Sequence, residues 1–272
     1  MSKVFKDGIL EGKVAFLTGG GTGIGLRMAE RFAQHGAKVM LAGRRQDVLD
    51  SAAKGIADAG GVAGTAALDV REYGHVEAAL KRTHDEFGPV DIVVAAAAGN
   101  FPAPVLGMSA NGFKAVIDID LIGTFNTMRA AFAFLRKPGA SLIAISAAHA
   151  NTPIAFQSHV CAAKAGIEML MKCLALEWGQ NGVRANCIVP GPTAETEGMR
   201  RLAPTPELED QVIAAAPLGR YGTKDELADL ALYLSSAAAG YITGGVFPCD
   251  GGTSLIKSGS RMEEAWKLAA RR

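Results

Sequence analysis

The chain has 272 residues, 49 % of them hydrophobic and only 6 % aromatic, with a formal net charge of +1. Such a length buries a sizeable core without covalent staples, and a charge so near zero excludes the electrostatic footprint of a nucleic-acid or membrane-surface binder. Cys161, Cys173, Cys187 and Cys249 contain no CxxC pair and the five histidines no HxxxH or HExxH spacing, so neither a disulfide frame nor a metal site is expected.

Residues 1–12 lack the basic stretch and apolar run of a signal peptide. Residues 14–18 then read as a strand, 23–35 as a helix, 38–42 as a second strand and 46–59 as a second helix. Strand 62–70, helix 72–87, strand 91–95 and helix 109–136 follow. After them come strand 141–146, helix 159–180, strand 184–189, helix 223–235 and strand 246–249. The helix at 223 opens with Thr223-Lys224-Asp225-Glu226, a capping-box pattern. Segment 191–216 has weak periodicity and clustered charges and is expected to be a mobile lid. The strand runs are nearly all apolar, as strands covered on both faces must be. Strict alternation of strand and helix predicts an α/β fold: one doubly wound Rossmann-type domain over residues 1–272, with a parallel sheet and helices on both faces. No apolar run is long enough to span a bilayer. The C-terminal Ala-Ala-Arg-Arg is no peroxisomal address, so a cytoplasmic protein is expected.

The run Thr18-Gly19-Gly20-Gly21-Thr22-Gly23-Ile24-Gly25 sits at the first strand–helix junction. There glycines permit a tight turn and let the backbone approach a pyrophosphate, and the helix N-terminus offers N–H donors and a positive dipole end. Gly19, Thr22, Gly23, Ile24 and Gly25 are therefore candidate cofactor contacts. A side chain at Gly19 should block that approach while leaving the chain folded. Sites that prefer NAD(H) carry an acid near the end of the second strand. Here that stretch reads Leu41-Ala42-Gly43-Arg44-Arg45. Arg44 and Arg45 suit a 2′-phosphate instead, which predicts NADP(H).

These marks resemble the short-chain dehydrogenase/reductase family across nearly the whole chain. So do Asp69-Val70, Asp91-Ile92-Val93-Val94, Lys164 and Pro190-Gly191-Pro192. The resemblance implies that Asp69 and Val70 flank the adenine and that residues 95–99, Ala96 among them, pass under the cofactor. It also implies that Pro190, Gly191 and Pro192 meet the nicotinamide amide and that Lys164 holds its ribose. The family's usual Tyr, four positions before the Lys, is Val160 here. Its usual Ser falls at Ala147 or the neighbouring Ser146, and its usual helix Asn at Asp120. One branch tolerates this loss. Ala97-Ala98-Gly99-Asn100-Phe101, Asp118-Ile119-Asp120, Ala163-Lys164-Ala165 and Glu177-Trp178-Gly179 are similar to 2,4-dienoyl-CoA reductases. That branch acts on an acyl-CoA substrate in unsaturated fatty acid degradation. The family further implies a homotetramer packed through the helices that begin near Ser109 and His159.

A conjugated dienoyl thioester needs no strong acid at the carbon that accepts hydride; it needs stabilisation of a developing thioester oxyanion and a proton at the α-carbon. Asp120 and Lys164 are the candidate catalytic pair, with His149, just past the fifth strand, as a third donor. Asn100 and Phe101 are expected to line the acyl channel. Asp250, before Gly251-Gly252, joins the proton path by resemblance, although Asp-Gly-Gly also suits a plain turn. His159, at a helix start, reads as structural. Two other functions fit the same residues: a carbonyl or 3-oxoacyl thioester reductase using His149 in place of the Tyr, and a protein that holds NADPH without turnover.

Overall fold

The computed structural model describes residues 5–258. The leader and terminal-address expectations rest largely on residues 1–4 and 259–272 and lie outside it. Seven strands alternate with helices. The first half holds β1 (Val14–Thr18), α1 (Gly23–Gln34), β2 (Lys38–Gly43), α2 (Gln46–Asp58), β3 (Val62–Ala67), α3 (Tyr73–Phe87) and β4 (Ile92–Ala95). Next come α4 (Ala110–Val116), α5 (Gly123–Ala131), β5 (Ser141–Ile145), α6 (Ser158–Trp178) and β6 (Arg184–Pro190). The chain closes through α7 (Glu197–Leu202), α8 (Pro206–Ala214), α9 (Lys224–Ser235) and β7 (Val246–Cys249). The strands form one parallel sheet in the order β3-β2-β1-β4-β5-β6-β7.

The central strands are mostly apolar because successive side chains enter opposite buried layers. Val14 and Phe16 pack with Met40, Val93 and Leu142 on one face. Ala15 and Leu17 pack with Leu41, Ile92, Val94 and Ile143 on the other. A buried charge stands just before β4: Asp91 is 2 % exposed. Its carboxylate accepts from Lys13 Nζ, the Val14 N–H and Arg136 Nε, and so ties the lower edge of the central strands together. Because β1 pairs with β2 on one side and β4 on the other, the crossovers diverge above β1. They leave a crevice at its carboxyl end, where open α/β sheets bind ligands.

Two expectations are corrected, and a third segment gains detail. β3 stops at Ala67, not at Val70, because its partner β2 ends at Gly43; the Leu68 N–H makes the last bond, to the Gly43 carbonyl. The single helix expected over 109–136 is broken. Ile117–Ile122 form a π-helical turn between α4 and α5, in which the Gly123 N–H reaches the Asp118 carbonyl. The helix ends at Ala131, after which Leu135 bridges to Val90. Segment 191–216 holds two short helices, α7 and α8, opened by the side chains of Thr196 and Thr205.

The capping box of α9 is formed in both directions: Thr223 accepts from the Glu226 N–H at 3.2 Å, and Glu226 accepts from the Thr223 N–H at 2.8 Å. Removing one half exposes an orphan donor of the first turn. Thr223→Ala is expected to lower unfolding free energy by about 1 kcal/mol, read as a shift in denaturant midpoint at constant slope.

Candidate active site

Above β1 the glycine-rich turn opens into a cleft of about 410 Å³. Gly19, Thr22, Gly23, Ile24, Gly25, Arg44, Arg45, Asp69, Val70 and Ala96 all line it, together with Ile119 from the π turn and Thr196 to Gly198 from the start of α7. The glycines differ in what requires them. Gly19 has φ +68°, and a Cβ there would stand 2.7 Å from the backbone carbonyl of Ala96. A Cβ on Gly25 would stand 2.4 Å from the Gly19 carbonyl oxygen. Gly19 is demanded by packing against the chain just past β4, and Gly25 by packing within the turn itself. The expectation that a Gly19→Val chain stays folded is therefore corrected, because the clash is with main chain. Gly23 also has positive φ, +57°, but a Cβ there meets nothing within 4 Å.

That openness fits a dinucleotide. The N-cap Thr22 makes no side-chain cap bond and the first turn of α1 holds no acid, so its N–H donors face the cleft without a competing anion. Gly23→Ala puts a methyl group into open space at the cost of left-handed backbone, about 1–2 kcal/mol. It is expected to weaken nucleotide binding about tenfold or more while the protein still melts cooperatively, read by titration calorimetry and thermal denaturation.

At the far edge, Asp69 gives its carboxylate to Arg71, with contacts from 2.5 to 3.1 Å. The Arg71 guanidinium holds the Asp69 carboxyl down at about 2, with Arg44 adding a smaller attraction. Arg44 and Arg45 are exposed at the end of β2. Pro190, Gly191 and Pro192 lie at the end of β6, outside the lining of this cleft. Gly191 is tight against the turn after β7: a Cβ would stand 2.4 Å from the Asp250 Cα. Asp250 borders a second cleft with Thr193, Arg220 and Gly252. Its carboxylate accepts from the N–H groups of Gly252 and Ser254, so it is occupied in closing its own turn.

The π turn carries Asp120 inward, 1 % exposed. Its Oδ1 accepts from the Gly99 N–H at 2.7 Å, and its Oδ2 faces Lys164 Nζ at 3.0 Å. Lys164, on α6, also donates to the Ile145 carbonyl at 3.1 Å. Two residues 44 apart in sequence thus form one buried ion pair, clamped between the ends of β4 and β5. Desolvation of such a pair is offset by the hydrogen bonds that each charge also makes. Local opening of the helix into a π turn is a common device at functional sites.

A family model described as Enoyl-(Acyl carrier protein) reductase matches residues 19–254. The chain belongs to the short-chain dehydrogenase/reductase family. It is 42 % identical to the peroxisomal 2,4-dienoyl-CoA reductase of Saccharomyces cerevisiae over 91 % of this chain and 86 % of that one. It is 40 % identical to the Arabidopsis thaliana enzyme of the same name over 100 % and 94 %. Among solved structures, a gluconate 5-dehydrogenase from Burkholderia cenocepacia in complex with NADP and tartrate superposes with TM-score 0.86. That protein shares 30 % identity, with 92 % of this chain and 98 % of that chain covered. The cytoplasmic expectation is overturned: the relatives are named as peroxisomal enzymes, and the terminal residues behind the expectation lie outside the described structure.

As a short-chain dehydrogenase/reductase the chain is an oxidoreductase with a nicotinamide-cofactor fold, and its site departs from the family pattern in concrete ways. Val160, at the usual Tyr position, is buried with Val116 and Ala163 in an apolar cluster that offers no hydroxyl. Ser146 Oγ donates to Glu168 Oε1 at 2.8 Å, and Asn151 donates to the other oxygen of that carboxylate at 3.0 Å. Reading the sequence missed Glu168. It stands one helical turn past Lys164 and is 5 % exposed, and a charge on that apolar helix face was the available signal. His149 lies in a short 3-10 turn, Ala148–Ala150, just past β5. Asn100 and Phe101 are exposed on the segment that leaves β4.

Proposed function

We propose that this protein reduces 2,4-dienoyl-CoA thioesters to enoyl-CoA with NADPH, in the degradation of unsaturated fatty acids. One observation carries the reading: a buried Asp120–Lys164 pair stands where the family's hydroxyl acid is replaced by Val160. The whole chain serves as one dinucleotide-binding domain. The uncapped start of α1 and the glycine turn would hold the pyrophosphate, Arg44 and Arg45 the 2′-phosphate, and Val70 the adenine. Lys164 would hold the nicotinamide ribose, and Pro190 to Pro192 the carboxamide.

When bound, NADPH supplies a hydride for the distal carbon of the diene. Charge then collects on the thioester oxygen, and Lys164 lowers the cost of that charge because it is a cation fixed in a site with little water. Asp120, held in orientation by the Gly99 N–H and by Lys164, positions the water that delivers a proton to the α-carbon. His149 is a further donor from the end of β5. Asn100 and Phe101 line the channel for the acyl chain. A homotetramer is supported by the exposed Phe113 and Phe125 on α4 and α5 and by Met169 and Leu176 on α6, since large exposed apolar side chains on neighbouring helices mark association surfaces.

The test is NADPH oxidation, followed by absorbance, with a 2,4-dienoyl-CoA and separately with a 3-oxoacyl thioester. Turnover of the dienoyl-CoA supports the reading. Turnover of the 3-oxoacyl thioester alone, or of neither, overturns it.

A further inference from the structure

Gln157 and His159, at the start of α6, are 4 % and 0 % exposed. Gln157 Oε1 and both ring nitrogens of His159 nevertheless lack a hydrogen-bond partner. Buried polar atoms of folded chains are nearly always paired, and the exceptions concentrate where something else binds. An imidazole carries at least one N–H in every protonation state, so His159 holds an unmet donor and Gln157, two residues away, an unmet acceptor.

Their surroundings point toward the substrate side of the site. The His159 ring lies 4.6 Å from the Phe101 ring, and Phe101 is 37 % exposed on the segment leaving β4. Gly99, two residues earlier on that segment, is anchored by Asp120. The Ala103 N–H bonds the Phe156 carbonyl at 2.9 Å, which ties the same segment to the loop entering α6. Phe156 itself takes φ +66°, a left-handed conformation unusual for an aromatic residue and common at functional sites. The Phe101 ring thus lies against a buried, unpaired imidazole, on the segment that Asp120 holds through Gly99. Val160, where the family usually presents its Tyr, is the next residue in the chain.

We propose that His159 is a substrate-contacting hydrogen-bond donor, reached past Phe101, whose ring N–H binds the thioester carbonyl of the acyl-CoA. Gln157 Oε1 accepts the amide N–H of the cysteamine arm. A thioester on that arm offers a carbonyl acceptor and an amide donor a few bonds apart, matching the two unmet groups; a bare hydrocarbon chain matches neither. The inference rests on the acyl-CoA reductase reading. It goes beyond the expectation that His159 is structural.

The experiment compares wild type, His159→Phe and His159→Gln with NADPH and 2,4-hexadienoyl-CoA. His159→Phe keeps an aromatic ring against Phe101 and removes two orphaned nitrogens, so its Tm rises. Its kcat falls about 10²-fold, the usual effect of losing one donor to a developing oxyanion, while NADPH affinity stays within about twofold. His159→Gln, which keeps an N–H, regains part of the loss. Unchanged kcat and KM in His159→Phe, with the higher Tm, overturn the proposal. Should that variant not fold, the wild type decides. With protein labelled by 15N-histidine, a saturated acyl-CoA shifts the ring-nitrogen resonance that is absent in His159→Gln, and no shift at saturation overturns the proposal. If the wild type never oxidises NADPH with the dienoyl-CoA, the underlying reading fails. If it does and His159→Phe is unaffected, only this inference fails.

Discussion

Asp120→Ala is expected to lower turnover of a 2,4-dienoyl-CoA by about 10²-fold or more, the usual worth of a group that positions a transferred proton. NADPH affinity should survive, since Asp120 does not line the cradle. The pair's burial complicates the choice of substitution. Removing one partner strands the other charge, which costs about 3–5 kcal/mol of stability in buried pairs. Asp120→Asn is the better probe, because an amide oxygen can keep the bond from the Gly99 N–H while the negative charge is lost. Its turnover should fall nearly as far as that of Asp120→Ala, with a smaller loss of Tm. Lys164→Met should damage both turnover and cofactor affinity, because Lys164 serves the ribose as well as the developing charge. Full turnover in Asp120→Asn would remove the carboxylate from the proton path and leave bulk water as the source.

The parts of this molecule legible from sequence are those with a strong period or a backbone requirement. Residues 14–18 and 246–249 were bounded correctly because their apolar runs stop at charge or glycine where the sheet stops. The glycine turn was legible for the same reason: its spacing has few backbone solutions. β3 was overrun because Leu68 and Val70 continue the apolar pattern after the partner strand has ended, and the end of a partner is a property of the sheet. The π turn was invisible because one extra residue per turn leaves almost no trace in a short apolar pattern. Its consequence is large, since it sets the direction of Asp120. The positions of Asp120 and Lys164 were legible by resemblance, but the clamp was not: the Gly99 N–H and the Ile145 carbonyl are backbone groups with no sequence signature. Glu168 locking Ser146, and His159 with no hydrogen-bond partner, depend on burial, which periodicity reports only on average.

Arg44→Asp is expected to reverse cofactor preference. In the wild type NADPH should bind more tightly than NADH, because Arg44 and Arg45 stand at the end of β2 with no acid between Leu41 and Arg45 to claim the ribose hydroxyls. A charge-assisted hydrogen bond contributes about 1.5–3 kcal/mol, so loss of the Arg44 contact alone weakens NADPH binding about tenfold to 10²-fold. The new carboxylate adds repulsion against a 2′-phosphate and offers the ribose hydroxyls of NADH an acceptor, moving the two affinities in opposite directions. Asp69 does not blunt the effect, since Arg71 already holds its carboxylate and keeps it ionised at neutral pH. Arg45→Asp should produce the smaller change if Arg44 is the principal contact and the larger one if the two are exchanged, so the pair of variants assigns the phosphate. Because the site is exposed, the wild-type preference should also shrink as salt rises, whereas the contribution of the glycine turn, made by backbone donors, should change less. Equal wild-type affinities for NADPH and NADH at low ionic strength would overturn the assignment of the 2′-phosphate to either arginine.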